Sequence, residues 1–384
     1  MRVEQLSWRQ GAGWRGGRNV ADKADLLLYF GTRAALACGA RYGEMRAMFP
    51  GAHIFGCSTG GQIRNNDVTD DDVVAVALSF ARTRLKLACA PAADATQSRA
   101  AGETIGRELA ADDLAGVFVL SDGLNVNGSA LVAGLAAAVG DGVSITGGLA
   151  GDGAQFEETL VGGDCAPSKH NVAAVGFYGS AVRIGHGSAG GWDEFGPRRR
   201  ITRSQGNVLY ELDGEPALDL YKRYLGEEAD GLPGTALLFP LRIRDPRCPD
   251  ESDLVRTVLA VDHDARSMTF AGDMPEGWVS QLMRGNFDRL AAGAADAARQ
   301  ASGGTRESGD GVAILVSCIG RRLLMGQHAM DEVAAAGGEF DPRMARLGFY
   351  SYGEISPHNR SGVCQLHNQT MTVTAITEAA GSRP

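Results

Sequence analysis

Paired cysteines and clustered histidines are both missing from this sequence. Seven cysteines and seven histidines are scattered along 384 residues, and no CxxC, HExxH or CxxCH motif occurs. Such motifs are the usual signs of a structural zinc site, a zinc hydrolase or covalently attached haem, and paired cysteines mark a disulfide framework. The sequence therefore predicts none of these, and any bound metal or haem would depend on residues brought together by folding.

Long hydrophobic runs are also missing. No stretch of about 18 apolar residues, the length that a membrane-spanning helix needs, runs without a charge. The first twenty residues contain charged, Gly and Trp positions but no apolar core of a signal peptide. We therefore expect no membrane as a partner and a cytoplasmic location.

Positive charge is in deficit, because 37 Lys and Arg stand against 46 Asp and Glu, which gives a formal net charge of -9. An acidic surface repels phosphates and anionic lipids, so nucleic acid is not expected as a partner. A short basic run, Arg198, Arg199 and Arg200, is interpreted as a solvated loop end.

Hydrophobic residues make up 44% of the chain, which is enough for more than one core. Buried strands alternate with helices, so we predict an α/β fold with two domains, in which mixed sheets are flanked by helices. The stretch 185–200 is rich in Gly and in charged residues, and the strand-like segment 201–211 follows it. The predicted domains are residues 25–214 and residues 215–377.

A unit of strand, helix, strand, Gly-bearing turn and return strand occurs three times. Its strands and helices are predicted at 25–31, 34–49, 53–57 and 73–80, then at 116–121, 129–139, 143–146 and 172–178, and then at 312–318, 327–336, 346–349 and 370–376. The three turns are 58–61, 147–152 and 350–354. A long helix is also predicted at 275–301. Because ligands gather at the carboxyl ends of strands in α/β folds, the turns are the first candidate site.

The candidate ligand-binding residues lie in or beside these turns. They are Cys57, Ser58, Thr59, Gly60, Gly61, Gly148, Asp152, Tyr352, Gly353, Glu354 and Asn368. Gly60 and Gly61 permit a close backbone approach, and the hydroxyls of Ser58 and Thr59 suit a polar ligand. A plain tight turn is the alternative for this segment.

Three further alternatives stay open. Glu354, between aromatic residues, suits an ammonium or guanidinium group, or it is the charged tip of a surface hairpin. The polar run 367–370 is either part of a site or a structural hydrogen-bond network. Cys57 is either a nucleophile or a small buried side chain at a strand end, and the second interpretation is favoured.

Four segments of this sequence resemble the FIST family. They are Phe55 to Ile63, Asn207 to Gly214, Phe349 to Pro357 and Leu366 to Thr370, in the family's order. The resemblance implies an N-terminal and a C-terminal FIST domain that together act as an intracellular sensory module for small ligands such as amino acids. Output domains of such proteins have no counterpart here, so the resemblance implies a stand-alone sensor and not an enzyme.

A narrower resemblance concerns residues 185–197, 207–214 and 219–226, which are similar to the NosP branch of haem-binding nitric-oxide sensors. This resemblance implies haem b as a cofactor with one axial histidine. His186, near Trp192 and Phe195 in sequence, is the candidate ligand, and His367 is the alternative.

The function expected from both resemblances is signal transduction. The partners implied are a small-molecule ligand and a signalling protein such as a histidine kinase or a cyclic-di-GMP enzyme, and a homo-oligomer is compatible with this function. Haem-based sensing of nitric oxide and binding of an amino acid without haem are the two forms of the hypothesis. A hydrolase that uses Cys57 is the alternative from another class, although no nucleophile elbow or Walker loop supports it.

Overall fold

The computed structural model describes residues 1–17, 23–70, 72–248, 254–303, 310–358 and 362–379. The described strands are β1 (Arg2–Arg9), β2 (Gly13–Arg15), β3 (Leu26–Gly31), β4 (His53–Ser58), β5 (Gln62–Arg64), β6 (Asp67–Thr69), β7 (Val73–Ser79), β8 (Arg84–Pro91), β9 (Leu114–Ser121), β10 (Ser144–Leu149), β11 (Val161–Gly163), β12 (Asn171–Tyr178), β13 (Val182–Ala189), β14 (Asp193–Gln205), β15 (Val208–Leu212), β16 (Glu215–Pro216), β17 (Leu241–Arg244), β18 (Leu254–Arg256), β19 (Val258–Asp262), β20 (Ser267–Phe270), β21 (Val279–Arg284), β22 (Gly311–Cys318), β23 (Ala345–Ser351), β24 (Gly353–Pro357), β25 (Cys364–His367) and β26 (Met371–Glu378). The described α-helices are α1 (Arg33–Leu36), α2 (Ala40–Met48), α3 (Ser98–Leu109), α4 (Gly128–Val139), α5 (Ala217–Leu225), α6 (Phe287–Ala301), α7 (Ile319–Met325) and α8 (Ala329–Gly337).

The three predicted units have the same topology. In each unit the first two strands are parallel and the return strand is antiparallel to the first: β3, β4 and β7; β9, β10 and β12; β22, β23 and β26. A parallel pair needs a crossover connection, which the intervening helices supply. The predicted α/β fold with mixed sheets and flanking helices is therefore confirmed.

The units exchange strands in a ring. After its Gly-bearing turn, the chain leaves one sheet and pairs with the second strand of another unit: β5 pairs with β23, β24 pairs with β10, and β11 pairs with β4. The strands beside the return strands are also exchanged, since β8 pairs with β12 and β13 pairs with β26. The three turns are thus the points at which the chain passes between sheets.

Side chains from all three sheets meet in one apolar core. The Phe30 and Phe349 ring centroids lie 4.4 Å apart, and Phe55 meets Phe118 edge-on at 6.2 Å. Helices cover the outer faces: α3 and α4 pack together over the second unit's sheet, and α6 and α8 pack over the third unit's sheet. Leu36, with residues of α2, covers the first.

A fourth sheet of eight strands is built from residues 193–284. Its main path is β18-β17-β21-β14-β15-β20-β19, and β16 pairs with β15. The residues of β17 alternate between a buried face, which carries Leu241 and Ile243, and a face that carries arginines. Helix α5 packs Leu218 and Tyr221 against the buried face, which gives this sheet a core of its own.

The predicted helix at 275–301 is wrong over residues 275–286. Residues 279–284 form strand β21, and α6 begins only at Phe287. The Oδ1 atom of Asn286 accepts a hydrogen bond from the Arg289 amide at 3.2 Å, so Asn286 caps the helix. Short apolar patterns fit a strand and a helix almost equally well, and the Gly285-Asn286 pair was the boundary signal.

Other predicted elements differ in detail. The helix at 34–49 is two helices, because Gly39 adopts the left-handed conformation with φ of 71° between them. The basic run Arg198 to Arg200 is not a loop end as interpreted, since it lies within strand β14. The turn predicted at 147–152 begins later, because residues 147–149 are the end of β10.

The predicted domains, 25–214 and 215–377, stay a prediction, and the exchanged strands β5, β13 and β24 pair across that boundary. Among the described residues, no helix is long and apolar enough to cross a membrane.

Candidate functional site

The three turns meet at one point, which we call the three-turn junction (residues 58–61, 149–152 and 350–354). The Gly60 amide donates to the Tyr350 carbonyl at 2.8 Å, and the Tyr350 amide donates to the Gly61 carbonyl at 2.9 Å. The Gly151 amide donates to the Ser58 carbonyl at 3.0 Å, and the Tyr352 amide donates to the Leu149 carbonyl at 3.2 Å. Each turn is therefore hydrogen-bonded to both others, and the junction joins all three sheets.

Hydroxyl groups of the first turn hold the backbone around them. Ser58 Oγ accepts a hydrogen bond from the Leu160 amide at 2.8 Å. Thr59 Oγ1 donates to the Gly31 carbonyl at 3.3 Å, and the side-chain amide group of Gln62 lies 2.7 Å from Thr59 Oγ1. These hydroxyls are buried, and their hydrogen bonds stabilise this conformation of the turn.

The Cys57 thiol is fully buried at the end of β4. Burial raises the pKa of this thiol well above its usual value. The thiolate, which is the nucleophilic form, is therefore disfavoured. The geometry fits the interpretation of Cys57 as a small buried side chain.

An arginine covers the Gly60-Gly61 backbone. Arg322 Nη1 donates to the Gly60 carbonyl, and its guanidinium carbon lies 5.1 Å from the centre of the Tyr350 ring. The guanidinium also forms two 2.7 Å contacts with the carboxylate oxygens of Asp70. Side chains of the third unit thus occupy the space that a ligand approaching this turn would need.

Gly148 and Gly353 do not lie in open turns as predicted. Both are buried in paired strands, Gly148 in β10 and Gly353 in β24. A Cβ atom at Gly148 would lie 2.8 Å from Val316 Cγ1, and one at Gly353 would lie 2.8 Å from Leu149 Cδ1. A side chain at either position would require these neighbours to shift, because the sheets pack closely there.

Asp152 and Tyr352 form the outer edge of the junction. Asp152 accepts hydrogen bonds from three successive backbone amides, 156–158, each at 3.0 Å. The Tyr352 hydroxyl donates to Asp152, and Phe156 stacks on the Tyr352 ring at 4.7 Å. Burial, and then the neighbouring Asp152 carboxylate, raise the pKa of Tyr352. Phe156 is 40% exposed, so it is the side chain between this edge and solvent.

Glu354 is buried and has neutral hydrogen-bond donors. Ser351 Oγ donates to Oε1 at 2.9 Å, and the Thr370 amide and hydroxyl donate to Oε2 at 3.1 and 2.9 Å. Burial raises the pKa of Glu354 to about 8, although these donors and Arg321 act in the opposite direction. The surface-hairpin alternative is wrong, because the side chain is 0% exposed.

Asn368 differs from the neighbouring polar residues. Among the described residues, neither its side-chain nitrogen nor its side-chain oxygen has a hydrogen-bond partner, although the side chain is 0% exposed. In the same run, Thr370 bonds Glu354 and the Gln369 carbonyl accepts from Trp192 Nε1 at 2.6 Å. The run is thus partly a structural network; Gln369 Oε1 also lacks a partner among the described residues, and Asn368 is the residue whose side-chain donor and acceptor are both unused.

The two candidate haem ligands have different surroundings. His367 Nε2 lies 3.0 Å from the Ser356 carbonyl, and burial lowers the pKa of this ring to about 4. His186 lies in β13; burial lowers its pKa, and its Nδ1 atom is buried with no partner among the described residues. A neutral imidazole with an unused nitrogen fits an axial ligand, so His186 fits haem better than His367. A cavity of about 220 Å³ lies against Ile184 and Gly185 of the same strand, but His186 is not among its lining residues.

Within the described ranges, no group of three or more His, Cys, Asp or Glu side chains is arranged to hold a metal ion. Sequence reasoning missed Arg322, Phe156 and Arg33, the last of which lies 3.6 Å from Asp152. These residues come from segments with no motif, so only the fold relates them to the turns.

Comparison with known proteins gives two matches. A family model described as the FIST N domain matches residues 25–215, and one described as the FIST C domain matches residues 217–357. No curated protein matches the chain at a significant level. The two models cover most of the chain and include all three turns.

Proposed function

Because the chain belongs to the FIST family of sensory domains for signal transduction, we propose that it senses a small polar molecule at the three-turn junction. The observation that carries this proposal is the hydrogen bonding among the turns. Gly60 and Gly151 belong to the FIST N match, and Tyr350 belongs to the FIST C match. A ligand that changed these contacts would change how the two halves are held together.

The chemistry of the junction supports a ligand with both hydrogen-bond donors and acceptors. Asn368 lies beside the junction, because it follows His367, which is paired with Glu354. Its side-chain amide offers a donor and an acceptor without a partner among the described residues, and the Glu354 carboxyl, with a pKa of about 8, is partly neutral at physiological pH. A free amino acid has the matching groups. Entry requires Arg322 or Phe156 to move, so binding would select a conformation in which a covering side chain is displaced.

The proposed output is a changed surface offered to a signalling protein, such as a histidine kinase or a cyclic-di-GMP enzyme in the cytoplasm. Such a shift needs a ligand that binds one conformation more tightly than the other. Because Arg322 or Phe156 must be displaced on binding, the ligand would have different affinities for the covered and the uncovered conformation.

Thermal unfolding with a panel of free amino acids tests the proposal. A ligand should raise the midpoint of wild type and of Asn66→Ala, whose exposed side chain lies outside the junction, but not that of Asn368→Ala. A ligand that stabilises Asn368→Ala as much as wild type would place the site elsewhere. A panel without any stabilising compound would contradict amino-acid sensing.

A haem-bound sensor is the second candidate, and the buried, unused Nδ1 atom of the partly buried His186 is the observation that favours it. Bound haem would supply an iron centre able to bind nitric oxide. In this form His186 would hold the iron, and strand β13 would connect it to α6 and β26.

An absorption spectrum distinguishes the two candidates. Protein produced with haem available should show a Soret band if haem is bound, and His186→Ala should weaken or shift that band. His367→Ala is the matched control, which should retain the band while losing stability, because His367 is hydrogen-bonded and fully buried. Wild type without a Soret band would remove the haem candidate, and loss of the band only in His367→Ala would move the ligand to β25.

A further inference from the structure

The loop of residues 153–158 lies over the outer edge of the three-turn junction. It connects β10 with β11 and belongs to no helix or strand. Residues 154–157 are exposed, whereas Asp152 and Tyr352, which the loop contacts, are buried. Among the described residues, none of the loop's amides or carbonyls is bonded to the backbone of another segment. Side-chain contacts therefore determine where the loop lies.

One carboxylate and one hydroxyl supply the buried part of these contacts. Asp152 Oδ1 accepts a hydrogen bond from the amide of residue 156, and Oδ2 accepts from the amides of residues 157 and 158, each at 3.0 Å. The Tyr352 hydroxyl donates to Asp152 and lies 2.9 Å from the Gly153 carbonyl oxygen. Movement of either side chain would thus release several backbone groups of the loop together.

An arginine supplies the exposed part. Arg33 Nη2 donates to Gln155 Oε1 at 2.6 Å and to Glu157 Oε2 at 2.9 Å, and its Nη1 atom lies 3.6 Å from Asp152 Oδ2. The Glu157 side chain is 66% exposed. Ion pairs in contact with water contribute little to stability, so the Arg33 contacts are easily broken.

Phe156 has an unfavourable backbone conformation in this loop. Its φ is 54°, in the left-handed region that a side chain other than glycine rarely adopts. The ring stacks on Tyr352 with 4.7 Å between the ring centroids and an angle of 15° between the planes. Departure of the loop would relieve the backbone strain, which offsets part of the lost stacking. Residues held in such conformations are frequent in clamps and switch regions.

From these contacts we propose that residues 153–158 are a lid that opens and closes the entrance to the three-turn junction. Opening breaks the contacts of Asp152, Tyr352 and Arg33 with the loop and leaves the sheets intact. Arg322, the other covering side chain, extends from helix α7 and is bonded to the Gly60 carbonyl, so no loop carries it away. The inference rests on the proposed sensing site and assigns the way into it.

The lid also connects the two family domains. Asp152 belongs to the FIST N match and Tyr352 to the FIST C match, so the hydrogen bond between them is a contact between the halves. A ligand that enters past the lid therefore alters a contact on which the proposed signal depends.

Hydrogen exchange followed by mass spectrometry, without any ligand, tests the lid. Exchange of the 156–158 amides should be independent of urea at low concentrations, because a local opening exposes little surface. Amides of β10, which unfolding of the sheet must release, should exchange more slowly and should accelerate as urea is added. Exchange of the 156–158 amides at the rate of β10, with the same dependence on urea, would overturn the proposal.

A substitution at the junction sharpens the test. Tyr352→Phe keeps the aromatic ring but removes the hydroxyl that bonds Asp152, so exchange of the 156–158 amides should rise at least threefold. The loop after β9 is the matched control, because Asp122 Oδ1 accepts from the amides of residues 124 and 125 at 2.8 and 2.9 Å. Exchange there should stay as in wild type. An unchanged rate at 156–158, or an equal rise at 124 and 125, would contradict the lid.

A second variant separates the lid from a loss of stability at buried Tyr352. Arg33→Gln should also raise exchange of the 156–158 amides, while the midpoint of thermal unfolding stays as in wild type. An amino acid that stabilises wild type should associate faster with Arg33→Gln, and by a larger factor than with Arg322→Met. A larger factor in Arg322→Met would place the entrance at Arg322 and overturn the proposal. If no amino acid binds, the proposed function fails, and the exchange rates still decide whether the loop is a lid.

Discussion

Two buried glutamates, Glu332 and Glu354, have opposite electrostatic surroundings. Glu332 faces a buried arginine: Arg321 Nε and Nη2 donate to its Oε2 atom at 2.9 and 2.7 Å. Among the described residues, Glu354 receives only neutral donors, from Ser351 and Thr370. Both side chains are 0% exposed, so burial alone does not explain their difference. Glu332 is held in a buried ion pair with Arg321, whereas the raised pKa of Glu354 allows its protonation state to change near neutral pH.

Removing the cation should have the largest effect on this comparison. Arg321→Met leaves Glu332 as an uncompensated buried charge and leaves the Leu290 carbonyl without the hydrogen bond that Arg321 Nη2 now donates at 2.8 Å. We expect a loss of about 3–5 kcal/mol in the free energy of unfolding, measured with urea. Arg343→Met, which removes an exposed pair with Asp341, should cost about 1 kcal/mol or less. A loss below that control would contradict a structural role for the buried pair.

The second prediction concerns the pH dependence that Glu354 gives to stability. Its pKa is raised from 4.5 to about 8 on folding, so the folded state holds the proton more tightly than the unfolded state. Stability due to this group is therefore complete below pH 4.5 and is lost as pH rises to about 8. Glu354→Gln cannot ionise, so wild type should lose stability relative to this variant across that interval.

Parallel thermal or urea unfolding between pH 5 and 9 measures this difference, because the other titrating groups are common to both proteins. An exposed residue gives the control: Glu227→Gln should follow the wild-type profile. A constant difference between wild type and Glu354→Gln across the interval would mean that Glu354 keeps an ordinary pKa.

The smallest effects should come from the two serines that bond these carboxylates. Ser317 Oγ donates to Glu332 Oε1 at 2.9 Å, and Ser351 Oγ donates to Glu354 Oε1 at the same distance. Ser317→Ala should cost about 1.5–3 kcal/mol, because its partner carboxylate is also ion-paired with Arg321. Ser351→Ala should cost about 0.5–1.5 kcal/mol at pH 6 and more at pH 9, where Glu354 is ionised. A cost of Ser351→Ala that does not rise from pH 6 to pH 9 would contradict the ionisation of Glu354 in this interval.

The repeated units were predictable because each contains buried strands and a Gly-bearing turn in the same order. That the three turns meet could be predicted from the sequence only in outline, because hydrogen bonds such as Gly60 to Tyr350 join residues that no local sequence pattern relates. Periodicity placed the helix start wrongly near Pro275, because the pattern of strand β21 fits both periods. The cover by Arg322 and the isolation of Asn368 depend on tertiary packing, which propensity and spacing do not encode.

The ring of exchanged strands has a consequence for how the chain acquires its structure. A sheet that is completed by a strand from a distant unit cannot close until that strand has been synthesised. Strand β10, for example, pairs with β24, and Gln5 Nε2 donates to the Arg346 carbonyl 341 residues away. Such non-local pairing gives a high contact order and slow folding. An early stop or a cut between the halves would leave strand edges open to aggregation. Assembly of this protein should therefore be all-or-none, because β24 completes the sheet of the second unit and β5 completes that of the third.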